Sequence, residues 1–277
     1  MTKAADLPAP PGYLLEGRYL AESLIARGPT ANVFRGTDTW SGELVAVRCL
    51  RADRDDVEPR FRRRAERLFG LTSPRFLRAI HLGDDREGLP FLVTELLFGR
   101  GVQTLGRVRW EVGCEITRQA AKALAEMHIH GLHHGDLRPS TLFVVASAEG
   151  GSRVKLLDLG IGDRFATEGK DNRARAGVLH AQLTGAPPLP GRAPHTRRGF
   201  AIPDAPPALV EQLVGWLHVG DKAPGTTAAE VAEVLGSWVS EATDVERTAP
   251  RPSAPSIDII VLPKSAAAVF AGESDDD

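Results

Sequence analysis

The sequence predicts an α+β fold in two lobes, a small antiparallel sheet followed by a larger, mainly helical lobe. Three observations predict it. Up to residue 98 the chain reads as short β-like runs punctuated by Gly, Asp, Thr and Ser. A single helical stretch interrupts those runs. After Gly99 the apolar period becomes helical, with one hairpin as the exception.

Residues 1–12 end in APAPPG without an apolar period and read as a disordered lead. The first lobe, residues 13–98, opens with the strand-like runs YLLEGRYLAESLIA, ANVFRGTD and ELVAVRCL. EPRFRRRAERLFGL then places Phe61, Ala65, Leu68 and Phe69 at helical spacing with Pro59 near its start. FLRAIHLGD and LPFLVTELL, split by the turn-like DDREG, complete five strands. The second lobe, residues 99–241, begins with a long helix in RWEVGCEITRQAAKALAEMH, whose Val112, Ile116, Ala120, Ala123, Leu124 and Met127 share one face. TLFVV and VKLLDLG flank AEGGS as a hairpin. PALVEQLVGWL is amphipathic, and TTAAEVAEVLGSWV opens with a capping box, Thr227 and Glu230. Residues 242–277, rich in Pro, Ser, Ala and Asp, read as a disordered tail carrying one short apolar segment, 256–263.

Composition narrows the function classes. A net charge of −2 gives no reason to expect nucleic acid as a partner. No apolar run is long enough for a membrane span. Cys49 and Cys114 are too few for a disulfide framework and the N-terminus lacks a signal-peptide pattern, which predicts a reducing cytoplasm. RFRRRAER is expected to be a solvated helix face, and the histidines, His133 and His134 included, show no metal-ligand spacing. In the tail, SIDIIVLP either adds a strand to a partner's sheet or docks on its own domain. Thr243 and Thr248 are candidates for phosphorylation by another kinase.

Five segments carry a resemblance: VAVR at 45–48, TELLFG at 94–99, HGDLRPSTL at 134–142, KLLDLG at 155–160 and VLHAQLTGAPP at 178–188. In this order and spacing, residues 13–241 resemble a bacterial Hanks-type serine/threonine protein kinase domain. The resemblance implies the two-lobed protein-kinase-like fold and ATP with Mg²⁺ as the natural ligands, and it allows each part of the phosphoryl-transfer machinery to be checked.

The glycine-rich loop corresponds to residues 26–33, which keep Gly28 and Val33 but lose two of three glycines and gain Pro29. Arg48 stands where the family has its phosphate-binding lysine, two residues after Ala46. Arg64 stands where that lysine's glutamate partner belongs, and nearby Glu66 lies about 115° from the centre of the helix's apolar face. Glu95 and Leu97 match the segment that holds adenine. Asp136 matches the aspartate that accepts the acceptor's proton, and Arg138 a lysine beside the transferred phosphate; both are expected to be vestigial. Asp158 matches a metal ligand, while Thr141 replaces the second one, an asparagine. Gly135 replaces an arginine, and His134 matches a structural histidine. The resemblance makes Asp171 the N-terminal aspartate of the next helix. Only IGDRFATEGK, residues 161–170, separates DLG from that helix, so the activation segment is shortened. The arginine that normally pairs with this segment is also missing, at Pro224 and Gly225.

These losses predict a pseudokinase: a scaffold or regulator in signalling that binds a protein partner, needs no cofactor and transfers little or no phosphate. Two alternatives stay open. One is an atypical ATP-dependent serine/threonine kinase acting through Asp136, Arg138 and Asp158. The other is a nucleotide sensor that binds ATP through Glu95 to Phe98 and Arg48 or Arg138 without transfer.

Overall fold

The computed structural model describes residues 12–28, 30–51, 57–147, 150–157, 167–187, 202, 205–218 and 226–239. The first sheet contains β1 (Tyr13–Leu15), β2 (Tyr19–Arg27), β3 (Ala31–Asp38), β4 (Leu44–Leu50), β5 (Ala79–Asp84) and β6 (Pro90–Glu95). Its order is β1-β2-β3-β4-β6-β5, with every neighbouring pair antiparallel.

The sheet has six strands where the sequence pattern gives five. The run from Tyr13 folds back on itself at Glu16 and Gly17, which adopt φ of 46° and 68°, and β1 pairs with β2. Phe76 and Leu77 turn from this sheet to the second one. Phe76 forms a parallel bridge with Leu156 in the second lobe, and the Leu77 amide donates to the Leu156 carbonyl at 3.1 Å.

Alternation along the strands builds two apolar layers. Leu15, Tyr19, Phe34, Val45, Val47, Phe91 and Val93 form one. On the other face, α1 (Val57–Phe69) seats Phe61, Ala65 and Leu68 against Leu50, Phe76 and Leu92. Each large apolar side chain so buried contributes about 1.5–3 kcal/mol. Phe69, counted with that face by its spacing, is instead 43% exposed as the last residue of the helix. In the arginine-rich stretch, Arg62 is committed to Glu58 one turn back and to Asp84 on β5. Where β2 and β3 meet, Arg18 grips Asp38 in a two-pronged pair at 2.7 and 2.9 Å.

The second lobe is organised on α2 (Trp110–Ile129), whose expected apolar face is fully buried. Around it pack α3 (Glu168–Thr184), α4 (Pro207–His218) and α5 (Ala228–Trp238), joined through Cys114, Leu179, Leu183, Leu213, Trp216 and Leu235. The capping box forms as the sequence implies: the Thr227 amide donates to Glu230 Oε2 at 2.7 Å and the Glu230 amide donates to Thr227 Oγ1 at 3.2 Å. The hairpin, β8 (Leu142–Ala146) and β9 (Ser152–Leu156), is widened by a third strand, β7 (Gly99–Gly101). Gly99 is essential there, because a Cβ would lie 2.0 Å from the Val144 carbonyl oxygen.

Among the described residues no helix is long and apolar enough to cross a membrane. Burial pushes the thiols of Cys49 and Cys114 up to about 12, which leaves them unreactive core groups. The tail, with residues 256–263, Thr243 and Thr248, lies outside the described residues, as do residues 1–11.

Candidate functional site

The candidate site lies where the two lobes meet. Its central loop begins at the end of α2 and runs through His134, Gly135 and Asp136 into a single 3-10 turn, Pro139–Thr141, before β8. Asp171, on the first turn of α3, organises this loop. It is fully buried, and its carboxylate accepts from the His134 and Gly135 amides, both at 2.8 Å, and contacts His128 Nε2 at 3.0 Å. Burial alone would raise the Asp171 carboxyl, but the hydrogen bonds from His128, Gly135 and His134 outweigh it and hold the group below its ordinary value. Gly135 sits at φ 73°, so the loop's curvature suits glycine, where the kinase family carries arginine.

His134, also fully buried, connects this loop to the second sheet. Its Nε2 lies 3.2 Å from the Leu157 carbonyl, and its Nδ1 accepts from the Asp136 amide at 3.3 Å. Beyond it, the Asp136 carboxylate and the Arg138 guanidinium are 3.1 Å apart, each side chain more than a third exposed. They are thus brought together at the surface of the cleft. Thr141 is turned inward: it is fully buried, its Oγ1 accepts from the Arg138 amide at 3.1 Å, and its hydroxyl lies 2.9 Å from the Arg138 carbonyl. Its polar capacity is engaged within its own turn.

The expected nucleotide contacts separate into three groups. Val33, Ala46 and Leu97 do converge, in one apolar cluster with Ala26, Phe143 and Leu157. None of the three is more than 5% exposed, and Phe143 is 2% exposed. Glu95 directs its carboxylate away from this cluster, to Lys155 Nζ at 2.5 Å and the Arg78 amide at 2.7 Å. Arg48 lies on β4, between Val33 of β3 and Leu92 of β6, half-buried with its Nε shielded. Arg64 on α1 is likewise half-buried, and Glu66 is exposed.

The Gly28 amide donates to the Ala31 carbonyl at 2.9 Å, which ties the end of β2 to the start of β3. A Cβ on Gly28 would stand 2.7 Å from that same oxygen, so the glycine serves a tight turn and its N–H is not available to a phosphate. Asp158, the expected metal ligand, lies outside the described residues.

Two features were absent from the sequence-based site. Lys155, in KLLDLG, is the partner of Glu95, and Asp171 meets His128 as well as the loop. Neither contact is local in sequence: the first spans the lobes, and the second joins two helices of the second lobe.

No family model matches the chain. A probable serine/threonine-protein kinase of Streptomyces coelicolor is 31% identical over 175 residues, 60% of this chain and 25% of that protein. The DNA damage-responsive serine/threonine-protein kinase RqkA of Deinococcus radiodurans is 32% identical over 145 residues, 50% of this chain and 22% of its own. A probable serine/threonine-protein kinase of Corynebacterium efficiens is 27% identical over 279 residues, 86% of this chain and 40% of that protein. The chain thus spans less than half the length of these curated relatives. Among solved structures, the kinase domain of Mycobacterium tuberculosis PknI superimposes with a TM-score of 0.68 over 83% of this chain and 99% of that one, at 19% identity. The chain has the two-lobed protein-kinase fold, and its sequence is similar to these bacterial serine/threonine-protein kinases.

Proposed function

We propose that this domain is a pseudokinase, a kinase-fold scaffold that engages a protein partner in signalling and transfers little or no phosphate. The observation that carries the reading is the closed apolar cluster between the lobes. Residues at most 5% exposed offer almost no surface to an adenine, so Val33, Ala46, Leu97 and Phe143 would have to part before a base could enter. Arg48 and Arg64 in place of a lysine and a glutamate, the Gly28 amide bonded to the Ala31 carbonyl and the inward Thr141 support the same reading. So does the short connection between DLG and α3, whose first turn is capped by Thr167. The partner itself is to be found by affinity capture with the whole chain and with residues 242–277 removed.

The test is a phosphotransfer assay on the purified chain with Mg²⁺, ATP and a generic protein acceptor, run beside Asp136→Ala. We expect no turnover above background in either protein, and no thermal shift with millimolar ATP. Turnover that Asp136→Ala abolishes would overturn the proposal in favour of an atypical kinase. That second reading has one observation in its favour: Asp136 and Arg138 remain paired and solvent-facing. ATP binding without turnover would identify a nucleotide sensor instead.

A further inference from the structure

We propose that His128, His133 and Asp171 form a binding site for a divalent transition-metal ion of the Zn²⁺ class, which clips the Asp136-bearing loop to α2 and α3. The inference does not depend on whether the domain transfers phosphate.

The three side chains come from separate elements: His128 from the last turn of α2, His133 from the following loop, and Asp171 from the first turn of α3. One ligand atom from each lies within 4.8 Å of the other two. The two imidazoles lie tilted at 53° to each other with ring centroids 5.3 Å apart. Among the described residues, this is the group that brings three such ligands together. Their spacing along the chain hides it, because the carboxylate follows the histidines by tens of residues and the fold alone supplies the juxtaposition.

The hydrogen bonding leaves imidazole nitrogens that a cation can use. The His128 side chain is only 8% exposed, yet its Nδ1 makes no hydrogen bond; Glu168 Oε1 lies 3.6 Å away. The Nδ1 of His133 is shielded as well and has no hydrogen-bond partner. Shielded imidazole nitrogens without partners are uncommon in a folded protein; here the His133 Nδ1 is open to a metal, and the His128 Nδ1 can take up the ring proton when Nε2 turns to it. On the other side of His128, Nε2 stands 3.0 Å from Asp171 Oδ2. Two ligands about 2.0–2.1 Å from one tetrahedral ion are about 3.3 Å apart, so a small expansion of this contact admits the ion.

The proton balance closes without an added reactant. In the metal-free form, Nε2 of neutral His128 carries the proton donated to Asp171. On binding, that proton passes to Nδ1, where Glu168 can receive a hydrogen bond, and the Nε2 lone pair turns to the metal. An imidazole that binds metal through one nitrogen and points the other at a carboxylate is a well-oriented ligand. Asp171 has acceptor capacity left, since the amides of His134 and Gly135 and His128 Nε2 account for three of about four lone-pair positions. The carbonyl end of α2 and the Glu168 carboxylate both favour positive charge here. Two imidazoles and a carboxylate suit Zn²⁺ and leave a fourth position for water.

The experiment uses the full chain without a histidine tag, stripped with chelator and reloaded with Zn²⁺, then with Co²⁺ as an optical reporter. We expect one Zn²⁺ per chain, a Zn²⁺-dependent rise of several degrees in Tm, and the visible absorption of four-coordinate Co²⁺. His133→Leu, and His133→Gln if the leucine variant folds poorly, should remove all three, whereas His130→Leu at an exposed neighbouring position should remove none. Failure of the parent chain to take up Zn²⁺, or unchanged stoichiometry in a folded His133 variant, would overturn the proposal.

Discussion

Lys155 Nζ lies 2.5 Å from Glu95 Oε1, and this ion pair joins the last strand of one sheet to the last strand of the other. Both partners are largely withdrawn from water, with side-chain exposures of 11% and 21%. Lys155 also donates to the Phe76 carbonyl at 3.3 Å, and Glu95 receives the Arg78 amide. Glu95 therefore fastens the lobes, with its carboxylate facing protein and not a ligand pocket. Glu95→Gln should cost about 2 kcal/mol in urea unfolding, between the values for exposed and fully buried pairs, because it strands a buried ammonium. Lys155→Met should cost less, since Glu95 keeps the Arg78 amide and more contact with water.

Asp171 accepts from two backbone amides of the Asp136-bearing loop, those of His134 and Gly135. Asp171→Ala should therefore destabilise the domain by about 3 kcal/mol, and Asp171→Asn by less, because one amide oxygen remains to accept. Hydrogen exchange locates the effect: the His134 and Gly135 amides should lose protection more than the amides at the centre of α2.

Asp38 gives the acid limb of stability. Hydrogen bonds from Arg18 hold its carboxyl down to about 2 against the opposing effect of burial. Its folded value lies below its unfolded one, near 4, so its contribution is complete above about pH 4 and fades as pH falls through about 2. In acid-denaturation series, the stability gap between the parent chain and Asp38→Asn should be constant near neutrality and close between pH 4 and 2. A gap that persists at pH 2 would contradict this assignment.

Arg175 is a buried charge with little support. It is 1% exposed, donates to Asn172 Oδ1 at 3.1 Å and lies 5.8 Å from the Trp216 ring centroid. Burial pushes its guanidinium down to about 10, although Asp171 and Glu168 pull the other way. Arg175→Met keeps the volume and removes the desolvated charge, and we expect a domain about 1 kcal/mol more stable in thermal or urea unfolding.

Much of the fold was legible because it rests on local periodicity. β-branched and aromatic alternation marked β2, β3, β4 and β6, and the Thr227 capping box marked the start of α5. The misses have specific causes. β1 separates from β2 at a left-handed pair, Glu16 and Gly17, which no apolar pattern signals. β7 reads Gly-Arg-Gly, without any strand propensity, and exists only because β8 lies close enough to exclude a side chain. At the site, motif spacing singled out Asp136, Arg138 and Asp171, and the structure pairs the first two and places the third against the loop that carries them. It gave no access to Lys155 against Glu95 or His133 beside His128, since those depend on tertiary distance. Nor did it reveal that the residues resembling an adenine pocket satisfy one another.

The cluster of Ala26, Val33, Ala46, Leu97, Phe143 and Leu157 also bears on how the molecule moves and melts. Domain closure around a ligand needs two bodies that separate at low cost, and here any separation hydrates an apolar seam shared by both sheets. The lobes should accordingly breathe together instead of opening like a clamp. They should also unfold in one calorimetric transition, with the van't Hoff and calorimetric enthalpies equal. A partner that recognises this domain would then meet one rigid face spanning both lobes, preformed before the encounter.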